Sequence, residues 1–214
     1  RAGSPATGGR AHATRLEPPG GSPAKARAGP GDNATVSVAN ALDIPVPDAD
    51  ADVVVSGLVL NFVPDTASGL AEMRRTLVRG GTIAAYVWDY AGRMELMRHF
   101  WDAAVSLDPA ARELDEGLRF PLCSRDALAN AFREAKLASV DVVPVDVATK
   151  FRDFDDYWTP FLGGQGPAPA YAMSLDETSR NRLRDRLSQR LPVEADGSIP
   201  LVARAWAVRG RVPR

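Results

Sequence analysis

Two short groups of small and polar residues follow the apolar segments "TVSVA" and "ADVVVSGLVL". In an open α/β sheet, ligands bind beyond the carboxyl ends of the strands, and small residues let a ligand approach the backbone closely. The two groups therefore predict a small-molecule site. Alternatively, the asparagine of the first group only begins a turn, and the serine of the second is a hydrogen-bonded core hydroxyl. The candidate residues are Asn40, Ala41, Ser56, Gly57, Leu58 and Asn61.

Aromatic residues are concentrated in two further segments, "YVWDYAGRMELMRHFW" and "FRDFDDYWTPFLGGQGP". Aromatic side chains can enclose an apolar or aromatic small molecule, although at such spacings they are more often core residues. Both interpretations stay open on the sequence, and "FLGGQGPAP" has the composition of a flexible flap over a pocket. The candidate pocket residues are Trp88, Tyr90, Tyr157, Trp158 and Phe161.

Few side chains suit metal or acid–base chemistry. The chain has two histidines and one cysteine, which matches no known metal-ligand spacing, so we expect no metal site. His99 lies in a helical pattern and is more readily a half-buried helix residue than a base, and Cys123 fits a small core residue. The tyrosines also lack a lysine four residues later, which excludes the common short-chain nicotinamide oxidoreductases.

Composition limits the classes of partner and the compartment. The 214 residues carry a formal net charge of −1, which gives no reason to expect a nucleic-acid surface. No apolar run approaches the roughly 20 residues of a membrane span, so we expect no membrane partner. A single cysteine excludes an intrachain disulfide, and a reducing cytoplasmic location fits best. Residues 1–32 are rich in glycine and proline and poor in large apolar residues, which predicts disorder or an aberrant segment, whereas residues 33–214 form the domain.

The elements that must position the candidate residues follow from periodicity. "TVSVA" alternates like a half-buried strand, and "ADVVVSGLVL" is continuous enough for a central strand covered on both faces. Leu70, Met73 and Leu77 form a helical stripe that "RGG" should end, and "TIAAYVW" is the next strand, which completes a βαβ unit. Ser124 should begin a later helix, and Ser174 with Glu177 forms a capping box before another. "VDVVPVDVAT" and "IPLVARAWAV" are the closing strands, the first of them at an edge because of Pro144.

Three of these segments resemble class I S-adenosylmethionine-dependent methyltransferases of small molecules, of the methyltransferase type 11 kind. "ANALDIPVPDADADVVVS", "LAEMRRTLVRGGTIAAY" and the last two strands match the family in order and spacing from Asn33 onward. The resemblance implies a Rossmann-like α/β sheet with an antiparallel carboxy-terminal hairpin, the cofactor S-adenosylmethionine and a small-molecule acceptor. It implies that Asn40 and Ala41 meet the adenine and that Ser56, Gly57, Leu58 and Asn61 hold the methionine moiety. The family has no universal catalytic residue, so none is assigned.

The sequence departs from the family in residues 1–32. The family's glycine-rich loop follows a first strand, and an acidic residue ends the second, but "TGGR" and "PPGGSP" have no apolar strand before them. We therefore expect an amino-terminally incomplete copy, a fragment with weak or no cofactor binding, or alternatively a non-catalytic remnant that acts as a binding module. If the first strands are absent, "TVSVA" loses its partner, and the open edge of "DVVVSGLVL" should cause self-association.

Overall fold

The computed structural model describes residues 11–15 and 34–214, and it arranges them in six strands, seven α-helices and short 3₁₀ turns. The strands are β1 (Ala11–Arg15), β2 (Ala34–Val38), β3 (Ala51–Gly57), β4 (Leu77–Trp88), β5 (Ala138–Phe151) and β6 (Ile199–Arg211). The helices are α1 (Thr66–Arg75), α2 (Glu95–Leu107), α3 (Glu116–Arg119), α4 (Arg125–Glu134), α5 (Phe154–Trp158), α6 (Pro167–Ser174) and α7 (Glu177–Ser188).

The main sheet has four strands in the order β3-β4-β6-β5. β3 and β4 are parallel and joined by α1, which confirms the predicted βαβ unit. α1 begins at Asp65, whose side chain accepts a hydrogen bond from the backbone N–H of Ser68 at 3.0 Å. β6 runs antiparallel to both β4 and β5, which confirms the carboxy-terminal hairpin, and β5 is an edge strand in the described part of the chain. The fold class is therefore an open, mixed α/β sheet.

A second, two-stranded sheet pairs β1 with β2 in parallel, from Ala11 opposite Ala34 to Arg15 opposite Val38. The prediction of disorder across residues 1–32 is therefore wrong for residues 11–15, because their backbone forms a ladder with the later strand. For the same reason "TVSVA" does have a partner strand. Residues 1–10 and 16–33 lie outside the described residues.

Two apolar cores pack against the main sheet. One covers the face of β4 that carries Ile83, Ala85 and Val87, and its other members include Leu70 from α1 and Phe132 from α4. The second core joins α2, α5, α6 and α7 to the start of β6 and includes the residue pair Ile199 and Leu201. Ser124 caps α4 as predicted, with its Oγ 3.4 Å from the backbone N of Ala127.

The other face of the main sheet is exposed over much of its area in the described part of the chain. The prediction that β3 is covered on both faces is therefore wrong, since its alternate valines face outward. The same side of β4 and β5 is also exposed. The residues are Val53 (58% exposed), Val55 (62%), Tyr86 (42%), Val143 (47%), Val145 (46%) and Val147 (53%).

Two predicted boundaries are wrong. α1 ends at Arg75, and Arg79–Gly81 lies inside β4, where Gly80 has a φ of 78°. The Thr76 hydroxyl donates to the Met73 carbonyl at 2.9 Å, so the helix already ends one turn before the glycines. α7 begins at Asp176, which accepts from the Ser179 backbone N–H at 2.7 Å, whereas Ser174 closes α6. None of the described helices is long and apolar enough to cross a membrane.

Candidate functional site

The candidate site lies where β3 and β4 end side by side. The two strands are parallel and in register, with Ser56 opposite Ala85 and Gly57 opposite Tyr86. The backbone N–H of Leu58 donates to the Tyr86 carbonyl at 2.9 Å and continues this ladder by one residue. The carboxyl ends of both strands therefore meet at one edge of the sheet, which is where open α/β sheets bind ligands.

The backbone turns sharply at this edge. Leu58 has a φ of 57°, a left-handed conformation that a branched side chain rarely adopts. The turn leads into a 3₁₀ helix, Leu60–Phe62, whose Leu60 side chain is buried in the core. Such strained residues persist where the surrounding structure holds them, and they concentrate at ligand sites.

Asn61 supplies an unsatisfied donor at the same edge. Its Nδ2 atom is buried and has no hydrogen-bond partner among the described residues. A buried amide without a partner costs about 1–3 kcal/mol, so such a group is usually matched by a bound water or ligand. A carboxylate or carbonyl oxygen of a ligand would satisfy it.

Asn40 plays the role of a turn residue in this structure. Its Oδ1 accepts from the backbone N–H of Leu42 at 3.0 Å, and its carbonyl accepts from the N–H of Asp43 at 3.0 Å. The side chain is exposed and Ala41 is half-buried. One lone pair of Oδ1 and the NH₂ group remain available to a ligand, so the adenine contact stays a prediction for Asn40 and Ala41.

Three aromatic rings line the edge beside Asn61. Phe62 and Phe120 make an edge-to-face contact with their ring centroids 5.1 Å apart, and Tyr90 lies 5.7 Å from Phe120. Phe62 is 56% exposed, so this aromatic wall faces outward. Sequence reasoning found Tyr90 but missed Phe62 and Phe120. Phe62 could have been found because it follows Asn61 directly, whereas Phe120 comes from a distant helix end and carries no sequence signal.

The structure does not bring all five predicted pocket aromatics together. Tyr157, Trp158 and Phe161 are buried in the second core, where Phe161 stacks on Phe100 with centroids 4.5 Å apart. The Tyr157 hydroxyl donates to the Leu96 carbonyl at 3.0 Å. In the structure these three residues are therefore core residues, because their rings fill the space between α2 and α5–α6.

Trp88 and Tyr90 remain at the strand ends. Both are half-buried, and Tyr90 packs with the core on the covered face of the sheet. The segment predicted as a flap, "FLGGQGPAP", instead continues into α6, whose residues Ala168 and Ala172 are buried. Because these alanines are buried against the second core, the segment is anchored there and not over the strand ends.

A buried carboxylate fixes the loop after β4. Asp89 is 7% exposed, and its Oδ2 accepts from the Arg93 backbone N–H at 3.0 Å while its carbonyl accepts from Gly92 and Met94. The carboxylate packs so closely on Gly92 that a Cβ there would lie 2.7 Å from Asp89 Oδ1. This geometry holds the loop that carries Tyr90 in one conformation.

Burial favours the neutral forms of Tyr90, Cys123 and His99. Burial raises the pKa of Tyr90 to about 12, with smaller contributions from Glu116 and Cys123. Burial also raises the pKa of the Cys123 thiol to about 12, so it is not a nucleophile at neutral pH. His99 is half-buried on α2, as predicted, and burial lowers its pKa. Among the described residues, no group of three His, Cys, Asp or Glu side chains could hold a metal ion.

Part of the chain matches a known family of proteins. Residues 6–85 match the model of a family described as methyltransferase domain. The matched stretch includes residues 6–32, which we predicted to lie outside the domain. No curated protein matches the chain.

Solved structures share the fold. One is a protein of Anabaena variabilis assigned as a methyltransferase of an antibiotic biosynthesis pathway, with 18% identity, 92% of this chain and 80% of that chain covered, and a TM-score of 0.55. A protein of Bacillus halodurans assigned as a methyltransferase has 13% identity, 89% and 75% coverage, and a TM-score of 0.52. The YcgJ protein of Bacillus subtilis has 14% identity, 86% and 73% coverage, and a TM-score of 0.50.

The sheet and its carboxy-terminal hairpin define a Rossmann-like α/β fold, which the solved methyltransferase structures share. At these identities the solved structures show the fold alone, whereas the family match concerns the residues themselves. That match is a likeness to the methyltransferase domain family over residues 6–85, as the sequence motifs in this stretch predicted.

Proposed function

We propose that the protein transfers a methyl group from S-adenosylmethionine to an apolar or aromatic small molecule. The observation that carries this proposal is the strand-end edge, where a strained turn, an unsatisfied Asn61 amide and an outward aromatic wall lie side by side. The family match, which spans β3 and most of β4, supports the same reaction.

The residues at the edge fit the methionine end of the cofactor. Asn61 Nδ2 would donate to the carboxylate, and the small residues Ser56 and Gly57 let the ligand approach the backbone beside Leu58. Asn40 and Ala41 would meet the adenine. When bound, S-adenosylmethionine supplies a methyl group on a sulfonium, which is already electrophilic.

The chain's own task is then to position the acceptor and exclude water. Phe62 and Phe120 offer apolar surface to a flat acceptor, and Tyr90 braces Phe120 from the core side. Tyr90 is protonated at neutral pH, and burial raises its pKa further, so it can donate a hydrogen bond but does not act as a base. Asp89 holds the loop that presents Tyr90.

A non-catalytic binding module is the second candidate. It is favoured by the turn at Asn40, whose Oδ1 already accepts from the backbone N–H of Leu42, and by the sequence of residues 1–32, in which no apolar run precedes the glycines. Each cofactor hydrogen bond that is not made weakens binding by about 0.5–1.5 kcal/mol. We therefore expect this chain to bind the cofactor with a millimolar rather than micromolar dissociation constant.

Calorimetry and a methyl-transfer assay test both candidates. The full chain is titrated with S-adenosylhomocysteine and, as a control for adenine binding alone, with ATP. Saturable binding of the first ligand only, with methyl transfer from labelled cofactor to a panel of aromatic acceptors, supports the enzyme. Binding without turnover supports the module, and no binding at millimolar concentration contradicts methyl transfer by this chain.

A further inference from the structure

A cavity separate from the strand-end edge lies beside the loop that follows β4. Its volume is about 750 Å³. It lies between α2, the 3₁₀ helix Pro109–Leu114, α3 and the residues after α7, and Ala91 and Gly92 of the loop form part of its wall. Three arginines and two aspartates line it, namely Arg98, Arg112, Arg190, Asp102 and Asp115.

Arg98 forms ion pairs with both aspartates. Its Nη1 and Nη2 atoms donate to the two carboxylate oxygens of Asp115 at 2.8 and 2.9 Å, and Nη2 also donates to Asp102 at 3.0 Å. Arg98 further donates to the Tyr90 carbonyl at 3.3 Å. This paired group is part of the cavity wall and braces the loop, and its carboxylates already have their arginine partner.

Arg112 and Arg190 have no such partner. Neither forms an ion pair with any residue that the structure describes, and both are exposed at the cavity. Their backbones are nevertheless well anchored. The Arg112 carbonyl accepts from the Asp115 N–H at 3.3 Å, and the Arg190 N–H donates to the Leu187 carbonyl at 3.0 Å. Two elements distant in sequence thus present two free guanidinium groups to one cavity.

We propose that this cavity binds a small molecule bearing a carboxylate or phosphate group, which Arg112 and Arg190 pair through their guanidinium groups. The planar donor fork of arginine matches both kinds of anion and makes charge-assisted hydrogen bonds to them. A cation is disfavoured, since arginines outnumber carboxylates in the lining and Arg98 already occupies both carboxylates. Gly92 and Gly117 also line the cavity, and a Cβ on Gly117 would lie 2.7 Å from Arg98 Nη1, so this glycine allows Arg98 to reach Asp115. None of the residues that line this cavity is one of those proposed to hold the cofactor.

The pKa of His99 can report whether an anion is bound in the cavity. Burial lowers the pKa of His99, the nearby carboxylates of Glu95 and Asp102 raise it, and the positive charge of Arg190 lowers it. An anion paired with Arg190 neutralises that charge, so the pKa of His99 should rise when the cavity is filled. The chain has only two histidines, and the His99→Gln variant identifies the signal in a proton NMR titration.

The experiment titrates the full chain with sodium phosphate and with citrate at constant ionic strength, against sodium chloride as the non-specific control. We expect saturable binding of at least one probe, together with a higher pKa for His99. The Arg112→Ala/Arg190→Ala variant should lose at least about tenfold in affinity. The Arg182→Ala variant, which removes an exposed arginine of α7 outside the cavity, should bind like the wild type.

The outcomes separate the possibilities. Tighter binding of phosphate indicates a phosphate-bearing ligand, and tighter binding of citrate indicates a carboxylate. The Arg190→Ala variant should show the raised His99 pKa without any anion and should lose the anion-induced shift, which checks the site even if the double variant is poorly folded. No saturable binding of either probe, or equal affinity in the double variant, overturns the proposal.

Discussion

The phenol of Tyr86 lies directly against the backbone of Gly57, its partner across the parallel pair β3–β4. A Cβ placed on Gly57 would lie 2.5 Å from the Tyr86 hydroxyl oxygen and 2.8 Å from Cζ. Real Cβ atoms do not approach other atoms so closely, so the absence of a side chain at Gly57 is what allows the ring to sit there. The contact lies at the strand-end edge, next to the turn at Leu58.

Gly57→Ala should therefore impair ligand binding more than folding. The new methyl group forces the Tyr86 ring to swing away, which it can do because it is 42% exposed, and the displaced ring then crowds the strand-end edge. We expect affinity for S-adenosylhomocysteine to fall at least about tenfold, equivalent to about 1.4 kcal/mol, with little change in the denaturant midpoint.

Two controls make this prediction specific. Gly163→Ala adds a methyl group where no atom lies within 4 Å, so it should leave binding unchanged. Gly57→Ala/Tyr86→Ala removes the displaced ring and should recover most of the lost affinity. Wild-type affinity in Gly57→Ala alone would show that the close contact has no part in ligand binding.

Asn61→Leu separates a ligand-binding role from a structural one. If the buried Nδ2 atom of Asn61 is reserved for a ligand oxygen, its removal takes away an unsatisfied donor, so the free energy of unfolding should stay the same or rise. Affinity for S-adenosylhomocysteine should fall about tenfold or more, because a hydrogen bond to a carboxylate is worth about 1.5–3 kcal/mol. Calorimetry and urea unfolding measure the two effects. A loss of stability with unchanged affinity would make Asn61 a structural residue.

The sequence predicted most of the sheet because alternating apolar residues indicate a half-buried strand and continuous apolar residues indicate a buried one. The βαβ unit from Ala51 to Trp88 and the closing hairpin both follow from it. It predicted the wrong ends for α1 and α7, because Thr76 and Asp176 compete with equally plausible capping residues nearby.

The candidate site was less accessible from sequence than the sheet. The sequence predicted Gly57 and Asn61 as site residues because both lie at the carboxyl end of one strand, where open α/β sheets bind ligands. The contact between Phe62 and Phe120 and the burial of Tyr157 depend on how distant helices pack, and nothing in local spacing encodes that. A buried aromatic and a pocket aromatic have the same sequence pattern.

Glu116 should make stability depend on pH. Its side chain is 2% exposed and accepts a hydrogen bond from the Trp101 indole, and burial raises its pKa above the ordinary value of 4.5. The folded state therefore holds the proton more tightly than the unfolded chain. The resulting stabilisation is complete below about pH 4.5, the unfolded value, and is lost as the pH rises through the higher folded pKa.

Glu116→Gln imitates the protonated form and removes this dependence. The amide oxygen can still accept from Trp101, so the variant should match the wild type near pH 4.5 and be more stable at pH 7. Urea unfolding of both proteins at the two pH values gives the comparison. Glu134→Gln, an exposed change on α4, is the control and should show no such divergence. A variant that is less stable than the wild type at pH 7 would mean that the ionised carboxylate is favoured in the fold.

The outer edge of β3 should cause self-association. β3 is the last strand of the main sheet in the described part of the chain, and it exposes Val53 and Val55 by 58% and 62%. An apolar strand with unpaired backbone groups recruits another chain, and a charged residue on it discourages pairing. We therefore expect the weight-average sedimentation coefficient of the wild type to rise with concentration, and Val55→Lys to reduce that rise.

Val193→Lys, at a residue that is 54% exposed outside the sheet, adds the same charge elsewhere and should associate like the wild type. Equal suppression by both variants would assign the effect to net charge, and a wild type that stays monomeric at all concentrations would show that this edge does not pair.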